Sequence, residues 1–175
     1  METKTMKRTS EHAASDSTPL FKNILVAVDG SESSKRAAHV ALGLAEKLKA
    51  ELIVLHAISP PTSYYRSNFP VPVGMAPPPP SQKEIDTYYA YARRVALGIV
   101  GDTVSEAKKV GTNVKTELPE GVSSVVETII SHAAKEHVDL IIVGTRGLGG
   151  FKKMLIGSVS SGVISHANCP VLVVR

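Results

Sequence analysis

The chain lacks several features that would place it in a class at once. It has no tryptophan, and its single cysteine, Cys169, excludes an intrachain disulfide and cannot form a metal cluster by itself. No apolar run approaches the ~18 residues that a membrane-spanning helix needs. Residues 1–20 also lack the apolar core segment of a signal peptide. We therefore expect a cytoplasmic protein that does not enter a membrane.

Basic residues are neither numerous nor clustered enough to indicate a nucleic-acid-binding surface. The net charge is +4 over 175 residues, and no block of lysine or arginine stands out. The chain does have an ordinary hydrophobic content of 43%, which is too high for a wholly disordered protein. Its composition predicts one globular domain with a modest excess of chain, and it excludes nucleic acid as a partner without naming a function.

Two segments account for the excess. Residues 1–20 are polar and aperiodic, which predicts a flexible N-terminal tail. Residues 59–81 include Pro60, Pro61 and the run Pro77 to Pro80. Because proline has no amide donor and a fixed φ, this segment is predicted to be an insertion, neither helix nor central strand. It could be a lid or a plain surface loop. Residues 21–175 form the predicted domain.

The body of the chain alternates between strand-like and helix-like patterns. Unbroken apolar runs at 24–28, 52–58, 140–143 and 171–174 are typical of buried parallel strands, and 114–118 alternates like a half-exposed edge strand. Apolar residues at helical spacing predict helices over 32–50, from 85 to about 110, and over 122–133, with a short fourth helix before the last strand. Five strands alternating with four helices predict an α/β fold, with helices on both faces of a single parallel sheet.

The segment after the fourth predicted strand carries the strongest chemical signal. Four glycines fall within seven residues there: Gly144, Gly147, Gly149 and Gly150. Open α/β sheets bind ligands at this end, and glycine lets backbone amides approach an anion closely. Gly157 and Ser158 begin the last predicted helix, where free amides, the helix dipole and the hydroxyls of Ser158 and Ser160 would form a second phosphate seat.

Two common nucleotide motifs are excluded. The chain has no G-x-x-x-x-G-K-[ST] segment, so it has no Walker-type phosphate loop. Its glycines do not spell G-x-G-x-x-G, and they follow the fourth strand rather than the first. A dinucleotide-binding fingerprint is therefore absent as well.

Three segments, in the right order, resemble the universal stress protein family. The spacing Gly144-x2-Gly147-x9-Gly157-Ser158 is similar to that family's ATP-binding signature. Residues 22–31 resemble its first strand and acidic turn, and residues 168–174 resemble its closing strand. The resemblance covers about residues 21–175. It implies a universal stress protein domain with an adenine nucleotide alpha hydrolase-like fold, an open sheet in the order 3-2-1-4-5, and ATP across the C-terminal ends of strands one and four.

The resemblance also implies which residues hold the nucleotide. Ala27 and Asp29 would lie near the nucleoside, with Asp29 facing the ribose, and the backbone of Ala57 would hold the adenine edge. The ribose and phosphates would be surrounded by Gly144, Thr145, Arg146, Gly147, Leu148, Gly149 and Gly150. The phosphate tail would be held by Gly157, Ser158, Val159 and Ser160. A bound Mg²⁺ or Mn²⁺ would accompany ATP.

Structural alternatives to these roles stay open. Asp29 could cap a turn or the first helix, since Asp-Gly-Ser is strong turn and cap chemistry. Arg146, Lys152 and Lys153 could contact phosphate or could be solvated loop side chains. His56 follows an apolar strand and is expected to be a hydrogen-bonded structural residue.

The last strand predicts a dimer. In the order 3-2-1-4-5 it lies at a sheet edge, although Val171 to Val174 is uniformly apolar. Because native proteins cover or pair such edges, we expect a homodimer in which two copies of this strand meet antiparallel. The family resemblance implies the same arrangement.

The leading interpretation is an ATP-binding stress or signalling protein whose conformation or protein partner responds to nucleotide. No dedicated catalytic constellation is present and no catalytic residue is assigned, so ATP hydrolysis is expected to be slow at most. Two alternatives stay open. One is an ATPase or phosphotransferase that uses Asp29 to position metal or water, and the other is a nucleotide-free dimeric adaptor.

Overall fold

The computed structural model describes residues 20–61, 79–148 and 156–175. These ranges contain five strands and four helices in alternation: β1 (Asn23–Ala27), α1 (Glu32–Leu48), β2 (Glu51–Leu55), α2 (Gln82–Lys109), β3 (Val114–Glu117), α3 (Val125–Lys135), β4 (Leu140–Gly144), α4 (Ser158–His166) and β5 (Val171–Val174). Each predicted strand and helix is present. The predicted tail, apart from Leu20, and most of the predicted insertion lie outside the described residues.

The boundaries differ from the predicted ones where local hydrogen bonding takes over. The second strand was predicted to reach Ile58 but ends at Leu55, and Ile58 forms an isolated parallel bridge with Glu120. The third helix begins at Val125 because the Ser124 hydroxyl accepts a hydrogen bond from the Glu127 amide and caps the helix there.

The sheet is parallel throughout and has the order β3-β2-β1-β4-β5. Strand β1 is central, with Ile24 paired to Leu52 on one side and to Leu140 on the other. Between β1 and β4 the chain changes the direction in which it adds strands, which is the point where open α/β sheets bind ligands. The predicted fold class and strand order are confirmed.

The core lies in two layers on either side of the sheet. Ile24 and Val26 of β1 face the layer of α1 and α2, whereas Leu25 faces the layer of α3 and α4, where it joins Ile129 and Val163. Alternate residues of a strand point to opposite faces, so a central strand covered on both faces must be apolar throughout. This explains the unbroken apolar run of β1 and places helices on both faces, as predicted.

Candidate functional site

A cavity of about 640 Å³ opens at the carboxyl ends of β1, β2 and β4. Of the fourteen predicted site residues, eleven line it: Ala27, Asp29, Ala57, Gly144, Arg146, Gly147, Leu148, Gly157, Ser158, Val159 and Ser160. Thr145 is not among the lining residues, and Gly149, Gly150, Lys152 and Lys153 lie outside the described part of the chain. The structure therefore brings together segments far apart in sequence at the predicted place.

The apolar wall of the cavity was missed by sequence reasoning. It includes side chains from β2, β4 and α3: Leu55, Val125, Ile129 and Val143. Leu55 and Val143 could have been inferred, because each stands at or beside the carboxyl end of a strand next to the switch point. Nothing in the sequence predicts that Val125 and Ile129 of α3 line the cavity, because the apolar pattern that indicates a helix does not show which helix covers the cavity.

The backbone of Ala57 is open toward the cavity. On either side of it, His56 N–H donates to Glu117 O at 3.0 Å and Ile58 N–H donates to Pro119 O at 2.8 Å. Because backbone groups of successive extended residues point to opposite sides, those of Ala57 point away from β3. Among the described residues they have no hydrogen-bond partner. The N–H and the carbonyl of Ala57 therefore offer one donor and one acceptor, side by side, to the edge of a planar ligand.

His56 is held in place beside this edge. Its Nδ1 lies 2.8 Å from Val28 O, and since a carbonyl only accepts, Nδ1 carries the proton. The ring therefore links the end of β2 to the end of β1 while also lining the cavity. This is the structural role expected of it.

Asp29 ties the first turn to the glycine-rich loop. Its Oδ1 accepts from Ser31 N–H at 3.0 Å, and its Oδ2 accepts from Leu148 N–H at 3.1 Å. Burial alone would raise the pKa of Asp29, but hydrogen bonds from Ser31, Ser34 and the Leu148 amide outweigh it and lower that pKa. Asp29 is thus an ionised acceptor at neutral pH. The turn chemistry expected of it is present, and its ligand role stays a prediction.

The glycine-rich loop is pressed against the start of α1. The Arg146 carbonyl accepts hydrogen bonds from the hydroxyls of Ser33 and, at 3.2 Å, Ser31. A Cβ on Gly144 would lie 2.6 Å from Ser33 Oγ, and one on Gly147 would lie 2.5 Å from Asp29 Oδ2. Glycine is therefore required at position 144 by contact with the Ser33 backbone, whereas a side chain at 147 would displace the Asp29 carboxylate. The described part of the loop, up to Leu148, is held by contacts within the chain.

Helix α4 begins at the cavity without a side-chain cap. The other three helices start with a capping serine: Ser31, Ser81 and Ser124. The N-cap of α4 is Gly157, which makes no side-chain hydrogen bond, and the first helical bond runs from Ser161 N–H to Gly157 O. Within the described ranges no group accepts from the first-turn amides, and the helix dipole makes an anion the favoured acceptor there.

Two predicted site residues support the framework of the site, Thr145 through its backbone and Ser160 through its hydroxyl. Thr145 O accepts from Gly157 N–H at 2.7 Å, and Thr145 N–H donates to Val174 O at 2.8 Å, which fixes the start of α4 against the sheet. The buried Ser160 hydroxyl donates to Gly144 O at 2.6 Å. Its proton is committed to holding the end of β4, whereas Ser158 lies exposed at the cavity rim.

The site offers little for a metal ion beyond one carboxylate. Among the described residues that line the cavity, Asp29 is the one with an acidic side chain. In the described ranges, no group of three or more histidine, cysteine, aspartate or glutamate residues could hold a metal. The same ranges contain no helix long and apolar enough to cross a membrane.

A cavity at the switch point of a parallel sheet, walled by apolar side chains and bordered by Gly144, Gly147 and an uncapped helix, is the kind of place where open α/β proteins bind their ligands. Residues 20–175 match the Universal stress protein family, and the chain belongs to that family. The universal stress protein YxiE of Bacillus subtilis is 33% identical over 159 residues, which cover 89% of this chain and all of that protein.

Solved structures share the fold at lower identity. The universal stress protein UspA from Lactobacillus plantarum has a TM-score of 0.70 and 24% identity, over 88% of this chain and 97% of that chain. Two others carry adenine nucleotides. The Archaeoglobus fulgidus protein in complex with dAMP has a TM-score of 0.58 and 21% identity, over 89% of this chain and 99% of that chain. The Arabidopsis thaliana protein with AMP bound has a TM-score of 0.55 and 20% identity, over 87% of this chain and 90% of that chain. A universal stress protein in complex with cAMP also has this fold, with a TM-score of 0.58 and 24% identity over 89% of this chain and 97% of that chain.

Proposed function

We propose that this chain is an ATP-binding universal stress protein whose state responds to nucleotide in the cytoplasm. The observation that carries the proposal is that the uncapped first turn of α4 and the open backbone of Ala57 line one cavity. An anion-binding helix start and a donor–acceptor edge beside apolar walls suit the two ends of an adenine nucleotide. Family members of the same fold that bind adenine nucleotides support the assignment.

The lining residues divide naturally between the parts of ATP. Adenine would pack against Leu55, Ile129 and Val143, with its edge on the backbone of Ala57. The ribose would lie beside Ala27 and the Asp29 carboxylate. The phosphates would take the loop from Gly144 through Gly150 and the start of α4: Gly157, Ser158, Val159 and Ser160. Arg146, exposed at the rim, adds a positive charge on this side.

The donor set fits a Mg²⁺ or Mn²⁺ ion that is held mainly by the nucleotide. Such an ion keeps several waters and is held largely by phosphate oxygens, so it needs few protein ligands, and Asp29 is the one carboxylate among the described lining residues. When bound, the ion would neutralise phosphate charge. Asp29 itself would orient the ribose side of the site.

Binding is favoured over catalysis by the state of Asp29. A general base near neutral pH needs a raised carboxyl pKa, whereas hydrogen bonds lower this one. Both of its oxygens already accept amide hydrogen bonds. We therefore propose hydrolysis that is slow at most, with nucleotide acting to set the protein's conformation or its choice of a protein partner.

The nucleotide assignment is tested at the start of α4. Gly157→Asp would place a carboxylate at the first-turn amides, where it caps the helix and repels phosphate. We expect ATP to bind at least about tenfold more weakly by calorimetry, equivalent to ~1.4 kcal/mol, with a smaller change for adenosine. Ser81→Asp, the same new charge at the N-cap of α2 away from the cavity, is the control. Absence of adenine nucleotide from the heat-denatured protein, together with no ATP binding by calorimetry, would refute the proposal and favour the adaptor.

We also propose a dimer, because the two edge strands of the sheet differ in polarity. Strand β5 is an edge strand whose residues are all apolar, and Leu172 is 37% exposed. The opposite edge strand, β3, carries Lys115, which is paired to Glu117 at 3.0 Å and to Glu136 at 2.7 Å. Charges discourage pairing of an edge, so β5 is the edge expected to pair antiparallel with a second copy.

Leu172→Lys tests this pairing. A lysine on β5 should convert the dimer to a monomer at a few micromolar, halving the mass measured by light scattering. Thr116→Lys puts the same side chain on β3 and should leave the mass unchanged. A soluble dimer that persists in the Leu172→Lys variant contradicts the proposed interface.

A further inference from the structure

The first turns of helix α2 carry a shallow hollow on one side. It has a volume of about 510 Å³, and the described residues that line it are Lys83, Glu84, Thr87, Tyr88 and Tyr91. These positions recur at spacings of three and four, so they share one face of the helix. The residues that α2 buries begin only at Ala96. The face therefore lies ahead of the part of the helix that packs on the sheet.

Two tyrosine rings on this face are held in position. Tyr91 is 58% exposed, and the Arg94 guanidinium lies over its ring, 5.5 Å from the ring centroid. Tyr88 is half-buried, its hydroxyl donates to Ser59 O at 3.0 Å, and its ring packs edge-on against Tyr89 with the centroids 5.5 Å apart. The face thus presents aromatic surface that a ligand can contact without ordering it first.

The described chain on both sides of residues 62–78 attaches at this face. Before that segment, Ser59 is held by the hydroxyl of Tyr88. After it, Ser81 is the N-cap of α2, and Glu84 completes a capping box with Ser81. The seventeen residues from 62 to 78 therefore leave the described chain and rejoin it beside the hollow.

This segment contains a proline-rich stretch of matching length. Residues 69–73 read Phe-Pro-Val-Pro-Val. Prolines at alternate positions favour the polyproline II conformation, which rises about 3.1 Å per residue, so the stretch would span about 12 Å. From Lys83 to Tyr91 the helix also rises about 12 Å, at 1.5 Å per residue. One such stretch would cover the whole face.

Gly74 gives the stretch a place to turn back along the helix. It is the one glycine between residues 62 and 78, and it directly follows residues 69–73. The run Pro77 to Pro80 comes next and ends beside the N-cap of α2. Because a run of prolines is stiff, a reversal is needed before it for residues 69–73 to lie on the helix, and glycine is the residue that adopts such turns most readily.

We propose that this face of α2 is a docking site for a polyproline II segment, and that its occupant is the chain's own residues 69–73. Aromatic-lined surfaces bind such segments because proline rings pack on the aromatic rings and the extended backbone loses little entropy. A single helix is convex, so the occupant would supply the second wall of a hollow whose described lining residues all come from α2. Attachment at both ends gives the segment a millimolar effective concentration, which favours it over a second copy.

The docked segment would lie apart from the nucleotide cavity. The described residues that line that cavity include none from α2. Residues 69–73 would accordingly lie along the helix and would not cover the cavity as a lid. A proline-rich ligand from another source would have to displace them to reach the same face.

A disulfide within the full chain tests the docking. In a Cys169→Ser background, Val71→Cys is combined with Thr87→Cys, and mild oxidation should link the two thiols. Asp86→Cys is the matched control, since residue 86 is exposed and adjacent in sequence but lies on another side of the helix, and it should link at least about tenfold more slowly. Arg146→Cys, at the exposed rim of the cavity, should link as slowly as Asp86→Cys.

The product and the prolines complete the test. A disulfide within one chain leaves the monomer mass on a non-reducing gel. Changing Pro70 and Pro72 together to alanine should slow linking at Thr87→Cys at least about threefold, because alanine relaxes the polyproline II conformation. The proposal is overturned if either control links as fast as Thr87→Cys, if the product is a covalent dimer of two copies, or if the two alanines leave the rate unchanged. Circular dichroism of each variant separates lost docking from lost folding.

Discussion

Gly144→Ala is expected to lower the free energy of unfolding by about 2–3 kcal/mol, an overpacking cost at the upper end of the usual range. The new Cβ would lie 2.6 Å from Ser33 Oγ and 2.7 and 2.9 Å from the backbone C and O of Ser33. Backbone cannot rotate aside as a long side chain can. Gly144 is also fixed from the other side, because it ends β4 and is paired with Val174 of β5. Urea unfolding followed by circular dichroism measures the change.

A glycine in open surroundings provides the control. Gly43 lies within α1, and a Cβ there would meet nothing within 4 Å. Gly43→Ala should therefore raise the free energy of unfolding by about 0.5–1 kcal/mol, because alanine is the better helix former. Equal effects of the two substitutions would show that α1 and the end of β4 are less closely packed than described.

The sequence predicts the fold well because the sheet is buried on both faces. Strands such as 24–28 must be apolar throughout, and helices between them must be apolar on one side, so both patterns stand out from the loops. Boundaries are less certain because short-range bonds decide them. Ser124 sets the start of α3 by capping it, although Val122 continues the apolar pattern outward.

The glycine segments of the candidate site, which act through backbone amides, can be predicted from the sequence, whereas the apolar side chains that wall the cavity cannot all be. Glycine spacing after β4 marks where amides can approach an anion. Close contact with the Ser33 backbone requires glycine at 144, and a side chain at 147 would meet the Asp29 carboxylate. Ile129 of α3 reaches the cavity through tertiary packing, for which the sequence has no local marker. The hydrogen bond from the Leu148 N–H to the Asp29 carboxylate likewise joins residues 119 positions apart, which the spacing of motifs does not reveal.

Asp29→Ala is expected to weaken ATP binding about 30-fold. Removing the carboxylate frees the Leu148 and Ser31 amides that it now holds at 3.1 and 3.0 Å. Hydrogen bonds to a charged group contribute about 1.5–3 kcal/mol each, and loss of one such bond accounts for a change of this size. Calorimetric titration with ATP measures it. Asp86→Ala removes an aspartate from the exposed side of α2 and should leave the affinity unchanged.

The same variant decides whether Asp29 touches the ligand or acts through the loop. ATP analogues that lack the 2′- or the 3′-hydroxyl should bind the unaltered protein more weakly than ATP does, if the carboxylate accepts from that hydroxyl. In Asp29→Ala the penalty for removing the hydroxyl should then disappear, a coupling above about 0.5 kcal/mol in the double-mutant cycle. A penalty that persists unchanged would mean that Asp29 acts by holding Leu148 in place. ATP binding as strong as in the unaltered protein would exclude both roles, because the carboxylate would then contribute neither to the proposed ribose contact nor to the loop proposed to surround the phosphates.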